Sequence, residues 1–506
     1  MPTLSITSTA AESRNCDLLV VGVYEGGTLA SGAKQVAAAF GSSLDELFAH
    51  GPLGSKPFSA GVGEVISAPT LGKLPASQVL FVGLGAKGSA DRAAARRVGA
   101  TVARRSGGAS DIAVSLLGAF KGKPEEALGA FCEGFLLASY SFERYKREQN
   151  GRPNRIETVT IEAPAKSDTK ALKAAVARAE AVARGVTLTR DLINTPSSDK
   201  SPESLAAEAS RIAKAGSFGI KIWDEAALEK GGFGGLIGVG QGARKESRLV
   251  ELTYEPRGAK TTIAIIGKGI TFDSGGLNLK PGAGMTTMKT DMSGAAAVLG
   301  LFEIIAAIKP KGVKVRGYLA CAENMPDGNA LRPGDVVRHY GGTTSEIGNT
   351  DAEGRLVMAD ALAYAKERGA DIILDIATLT GAVVSALGRE LTGVLGTDAT
   401  LVKRMLAACE RAGEPGWELP LWESYRSVIK SHIADQNNAG SAEAGAGTIT
   451  AGLFLKTFVG DTPWVHLDIA GTSRAGEDRF EISRGASGVG VRTLLEFVEA
   501  TASHPK

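Results

Sequence analysis

The chain alternates short apolar runs with stretches in which apolar residues return every three or four positions. The runs read as buried strands and the recurrences as helices packed on them. From Asp17, DLLVVGVYEG is a strand and GAKQVAAAFG a helix. QVLFVGLG (Gln78 to Gly85) is a second strand, Asp91 to Arg105 an alanine- and arginine-rich helix, and DIAVSLLG from Asp111 a third strand. Continuous apolar runs mark strands covered on both faces, and strand–helix alternation marks a largely parallel sheet.

A polar passage, Lys146 to Pro153, and a strand, Arg155 to Ile161, precede a helical pattern with apolar residues at Leu172, Val176, Ala179 and Val182. The expected fold class is therefore α/β with two domains: a smaller N-terminal α/β domain (1–167), a connecting helix (168–192) and a larger C-terminal α/β domain (193–506) with a mostly parallel central sheet. Thr195 to Ser198 break the chain, and a new helix starts at Ser201 or Pro202. Strands follow at Gly219–Trp223, Leu249–Tyr254, TTIAIIG from Thr261, Val313–Ala322 and Asp371–Ala377, with helices at Met292–Ile308 and from about Ala352 to Arg368. Ser441 to Thr448 (SAEAGAGT) reads as a flexible rim loop.

Composition narrows the class. At 506 residues with 43% hydrophobic and 22% charged residues, the chain has the make-up of a globular protein rather than a disordered one. Lysine and arginine total 57 against 55 acidic residues, a formal charge of +2 that gives a polyanion partner no general support. The four cysteines are far apart with no CxxC pairing, which disfavours both a thiolate zinc site and a disulfide framework. The N-terminus lacks the pattern of a secretory signal, and no segment reads as an uncharged bilayer span, so a cytoplasmic protein is expected.

Two local patterns have ordinary readings. Gly83, Gly85 and Gly88 match GxGxxG after a strand, but Asp111 begins the next strand instead of ending it, so a structural turn is favoured over a dinucleotide loop. The basic segment RAAARR (Arg92 to Arg97) could touch phosphates, yet it reads first as a solvated helix face.

The chemistry concentrates in KGITFDSGGLNLKPGAGMTTMKTD, Lys268 to Asp291, where lysines and aspartates are separated by glycine, threonine and proline in the manner of a loop. Asp273 and Asp291 there, with Asp351 and Glu353 downstream, make four acidic residues at loop ends or helix starts. Carboxylates that can bridge suit a pair of hard or borderline divalent cations. Of five histidines only His339 is near these segments in sequence, which disfavours histidine-ligated zinc. Taken singly, Asp291 could be a helix N-cap, Thr350 with Glu353 a capping box, and Lys268 a solvated strand end.

Together the motifs resemble a known family. NTDAEGRL (Asn349 to Leu356) is the signature octapeptide of the leucyl aminopeptidases, the M17 dinuclear metallo-exopeptidases, and KGITFDSGGLNLKP resembles their metal-binding stretch. The resemblance runs from RDLINTPS at Arg190 to the C-terminal region and is looser across the N-terminal domain. It implies one tightly held ion on Lys268, Asp273, Asp291 and Glu353, and an exchangeable one on Asp273, Asp351 and Glu353. Lys280 would be the catalytic lysine, and Arg355 would hold a bicarbonate ion acting as general base. Gly354, Thr378 and Leu379 would position substrate or anion, and Met288 would line the pocket for the N-terminal side chain.

The activity so implied is release of N-terminal amino acids, leucine and other apolar residues preferred, from peptides by attack of a metal-bridging hydroxide. The ions implied are Mn²⁺ or Zn²⁺, with Mg²⁺ or Co²⁺ also compatible, and the assembly a homohexamer. Some family members also bind DNA. A two-metal phosphoesterase is the alternative, against which the lysine ligand and octapeptide speak; a serine hydrolase built on Ser274 lacks a GxSxG elbow.

Overall fold

A computed structural model describes residues 1–30, 33–50, 56–147 and 156–503. The polar passage at Lys146 to Pro153 lies mostly outside them. The chain forms two compact units, Met1–Ala183 with Glu477–Ser483, and Arg184–Gly476 with Arg484–Lys506. The helix Thr169–Asn194, 26 residues long, runs from one into the other.

The first unit holds a six-stranded sheet in the order Thr3–Thr7, Thr158–Glu162, Asp111–Ser115, Leu18–Val23, Gln78–Gly83 and Val65–Pro69. All neighbours are parallel except the last pair. Leu19, Val20, Val79 and Val114 have no exposed surface, as strands covered on both faces require. The glycine triplet is a turn: Gly85 and Gly88 have φ of +73° and +80°. The following helix, Arg92–Arg105, starts only at Asp91, whose carboxylate caps it by accepting from the Ala94 N–H at 2.9 Å.

The second unit is built on an eight-stranded sheet in the order Gly416–Glu418, Thr392–Gly396, Trp464–Asp468, Ile372–Ala377, Thr261–Asp273, Val313–Asn324, Arg248–Tyr254 and Gly219–Trp223. The four central strands are mutually parallel, so their carboxyl ends share one edge. That edge is where open α/β sheets place ligands. The helix Ser293–Ile308 is apolar almost all round and packs on this sheet. Its Gly294 lies so close that a β-carbon there would meet the Ile376 carbonyl at 2.0 Å. Residues Gly282–Ile308 do reach, by length and a hydropathy of 1.7, what a bilayer span needs, contrary to the sequence reading. Of the 18-residue apolar stretch within it, 78% is buried, so this apolarity serves a protein core.

Three boundaries differ from expectation. The central strand continues through Asp273, so Lys268 and Asp273 are carried by a strand and only the residues after them form loop. The helix expected from Ala352 begins at Gly354, leaving Glu353 outside its first turn. The expected rim loop ends early, because Gly447 and Thr448 open the helix Gly447–Val459 and Thr448 is buried.

Candidate active site

Lys268 projects from the carboxyl-terminal half of the central strand and Asp273 from its last position, Asp291 from the end of a short 3₁₀ turn, and Asp351 and Glu353 from the loop before helix Gly354–Glu367. The fold brings all five together. Lys268 Nζ is 2.8 Å from Asp291 Oδ2 and 2.8 Å from Glu353 Oε1. Lys280 Nζ is 2.8 Å from Asp273 Oδ2 and 2.5 Å from Asp351 Oδ1. The ordinary readings of these residues fail. Helix Ser293–Ile308 has Met292 as its N-cap with no side-chain cap, so the Asp291 carboxylate is not used for capping. Thr350 bonds the Gly275 carbonyl and the Asn278 N–H instead of closing a capping box.

Electrostatics follow from packing like charges in a dry place. Burial raises Asp273, Asp291 and Asp351 above the usual carboxylate range, and their acidic neighbours add to it. Burial would lower both lysines, but the carboxylates around them outweigh it and raise each. Arg355, largely buried, is lowered to about 10 by that burial. Four carboxylates and two ammonium ions in one cluster leave a formal excess of negative charge even with both lysines charged, and a divalent cation would offset it.

The residues fit such cations. Ligand oxygens of Asp273, Asp351 and Glu353 lie within 4.8 Å of one another, and Glu353 Oε2 is buried without a hydrogen-bond partner. Gly354 makes room for Lys268, because a β-carbon at residue 354 would come within 2.6 Å of its Nζ. Thr378 connects the same group: its carbonyl accepts from Lys268 Nζ at 3.0 Å and its hydroxyl donates to Asp291 at 2.7 Å. Arg355 is fixed by donation from Nη1 to the Asn438 carbonyl at 2.6 Å. Met288 is half-buried in the 3₁₀ turn before Asp291.

Comparison with known proteins agrees with this geometry. Residues 187–495 match the model of the cytosol aminopeptidase family, catalytic domain, and residues 20–149 match that family's N-terminal domain. The chain belongs to the cytosol aminopeptidase family. It is a metal-dependent hydrolase of the leucyl aminopeptidase type. It is 43% identical to a "Probable cytosol aminopeptidase" of Streptomyces avermitilis, covering 99% of each chain. With one of Alkaliphilus oremlandii it shares 39% identity over 96% of each. Among solved structures it resembles the bottromycin maturation enzyme BotP in complex with Mn, with a TM-score of 0.83, 35% identity, and coverage of 96% of this chain and 100% of that one. The phosphoesterase alternative is not favoured by this family. Nor is a serine hydrolase by the site: the Ser274 hydroxyl is buried and donates to the Asn324 carbonyl at 2.8 Å.

Sequence reasoning missed the residues that hold this site from behind. Asn324 donates to Asp273 at 2.8 Å and to the Thr350 carbonyl at 3.1 Å, following a register shift in its strand that aims it there. Asn438, with no exposed surface, accepts from Gly348 N–H at 2.8 Å and donates to the Asn349 carbonyl at 2.7 Å. Neither asparagine belongs to a motif, and no local spacing marks it.

Proposed function

We propose that this family member is a dinuclear aminopeptidase that releases N-terminal residues, leucine and other apolar ones preferred, from peptides. The carboxylate cluster of Asp273, Asp351 and Glu353, continued by Lys268 and Asp291, carries the reading. In it, Lys268, Asp273, Asp291 and Glu353 hold one ion and Asp273, Asp351 and Glu353 the other. Oxygen donors with a single amine accept Mn²⁺ or Zn²⁺, and Mg²⁺ or Co²⁺ as well. Bound there, two divalent cations supply a nucleophilic hydroxide at neutral pH and polarise the scissile carbonyl.

The chain's own groups do the rest. Lys280 is kept as an ammonium by Asp273 and Asp351 and stabilises the negative charge that develops on the carbonyl oxygen. Arg355 holds a bicarbonate ion as general base. Backbone at Gly354, Thr378 and Leu379 positions substrate and anion, and Met288 lines the pocket for the N-terminal side chain. A homohexamer acting in the cytosol accompanies this reading, as the family resemblance and the relatives' names support. The DNA expectation rests on the family resemblance and, in this chain, on the basic RAAARR segment. There Arg96 is in a buried pair with Glu133 at 3.0 Å, and Arg97 lies 4.1 Å over the Phe480 ring, both within the first unit.

The test is hydrolysis of a series of aminoacyl anilides against added metal, with and without bicarbonate, beside a phosphodiester. Leucyl anilide turnover that requires Mn²⁺ or Zn²⁺ and is accelerated by bicarbonate supports the reading. Anilide turnover that survives complete chelation, or phosphodiester cleavage alone, overturns it.

A further inference from the structure

Behind the loop Thr378–Thr380, strand Trp464–Asp468 ends in a carboxylate with no exposed surface. Asp468 is paired in register with Ala377, the residue just before the loop. Its Oδ1 accepts from the Leu379 N–H at 3.2 Å and the Ala470 N–H at 3.2 Å, and its Oδ2 accepts the Thr380 hydroxyl at 2.6 Å. A hydroxyl has one proton and two lone pairs. Since Thr380 gives its proton to the carboxylate, its lone pairs accept the Val383 N–H at 3.2 Å and the Thr448 hydroxyl at 2.9 Å. Every valence of that hydroxyl is used.

On its other side the same loop is bonded to the site, through the Thr378 carbonyl to Lys268 and the Thr378 hydroxyl to Asp291. The loop therefore lies between two carboxylates, Asp291 in front and Asp468 behind, and each grips it through a threonine hydroxyl. Burying a carboxylate costs several kcal/mol unless its lone pairs are filled, and here the loop itself supplies two of the three hydrogen bonds that fill them. The arrangement fixes three consecutive residues to within a hydrogen bond's tolerance, which is the precision an active-site backbone needs.

We infer that Asp468 is a positioning residue for peptide hydrolysis, holding the Thr378–Thr380 backbone against Lys268 and Asp291. The inference rests on the reading of the site proposed above. It acts through bonds and not through net charge, which separates two substitutions. Asp468→Ala removes all three acceptor contacts. Asp468→Asn keeps an oxygen for the two N–H groups, and its amide donates to Thr380, whose proton turns to Thr448.

The experiment measures kcat and KM on leucyl anilide, bound Mn²⁺ and thermal unfolding for the full-length protein and three variants. Asp468→Ala should lose about tenfold or more in kcat with KM changed by no more than about threefold and metal content intact, since small misplacement penalises the transition state first. Asp468→Asn should recover to within about threefold of the parent kcat, because the bonds are retained. Thr380→Val, which removes one of the three bonds to Asp468 together with the hydroxyl's contacts to Val383 and Thr448, should show an intermediate loss and decides the matter where the alanine variant does not fold. Parent-like kcat in a folded, metal-loaded Asp468→Ala or Thr380→Val protein overturns the inference, and so does an Asp468→Asn loss as deep as that of alanine. A parent protein inactive on leucyl anilide with Mn²⁺ overturns the reading beneath, and the inference with it, before any variant is compared.

Discussion

The amine of Lys268 passes within 2.6 Å of the point where a side chain on Gly354 would begin. The helix Gly354–Glu367 thus opens on a glycine because a lysine from the central strand crosses over it to reach Asp291 and Glu353. Gly354→Ala should spare the fold, because the atom displaced is the end of a flexible chain. It should push the amine off both carboxylates. We expect kcat/KM to fall about 100-fold, the scale of an ångström-sized displacement in a site, together with reduced metal content at stoichiometric Mn²⁺. Elemental analysis beside steady-state kinetics checks both; an alanine variant with full metal and full activity would remove Lys268 from the centre.

Lys280 differs from Lys268 in being bound to Asp273 and Asp351 while remaining partly accessible. Its charge is matched to one that exists chiefly in the transition state. Lys280→Met should lower kcat by about 10²- to 10³-fold, the value of one oxyanion donor, with KM moving far less. Equal losses in 1/KM and kcat would mean that the lysine serves ground-state binding.

Much of this site was legible in the sequence because its chemistry is written in short motifs. Lys268 to Lys280 and Asn349 to Leu356 each carry several groups within a few residues, and one β-edge collects them. What was illegible depends on distance along the chain. Asn324 lies 51 residues from Asp273, Asn438 lies 83 from Arg355, and Asp468 lies 88 from Thr380, so no local pattern joins them. The strand limits were misread for a related reason. Gly269 looks like a loop residue, whereas it is a strand position stripped of its side chain; a β-carbon there would meet the Ala320 carbonyl at 2.9 Å. The same composition bias hid the first turn of helix Gly447–Val459.

Asn438 is the hub through which the 348–352 loop and Arg355 share one support. Its side chain bonds the loop, and its own carbonyl receives the guanidinium. Asn438→Ala should therefore loosen Arg355 indirectly, by releasing the loop packed beside it. The expected result is a several-fold rise in the bicarbonate concentration giving half-maximal acceleration, of the order that follows from losing one or two buried hydrogen bonds at about 1 kcal/mol each. An unchanged bicarbonate curve with lowered thermal stability would show that Asn438 serves folding alone.

His466 offers a test of the sheet beneath the site through the pH dependence of stability. It is fully buried, with Nδ1 2.5 Å from Asp375 Oδ1, while Asp375 Oδ2 accepts from the Trp464 indole N–H at 2.6 Å. Burial by itself would lower the imidazole, but the carboxylate of Asp375 outweighs it and raises His466 above its ordinary value. In the unfolded chain the ring loses its proton near pH 6.5. Between that pH and the raised native value the folded protein therefore binds the extra proton. Stability supplied by the pair is complete below pH 6.5 and is lost as pH climbs through that window, at most about 1.4 kcal/mol per pH unit. Asp375→Asn removes the larger cause, leaving the lesser one from Asp468, while keeping an acceptor for the indole. The difference in unfolding free energy between parent and variant should be largest below pH 6.5 and shrink as pH rises, since all other titrations are common to both proteins and cancel. A gap that stays constant from pH 6 to 9 would mean that His466 is neutral in the native state and that Asp375 acts through hydrogen bonds alone.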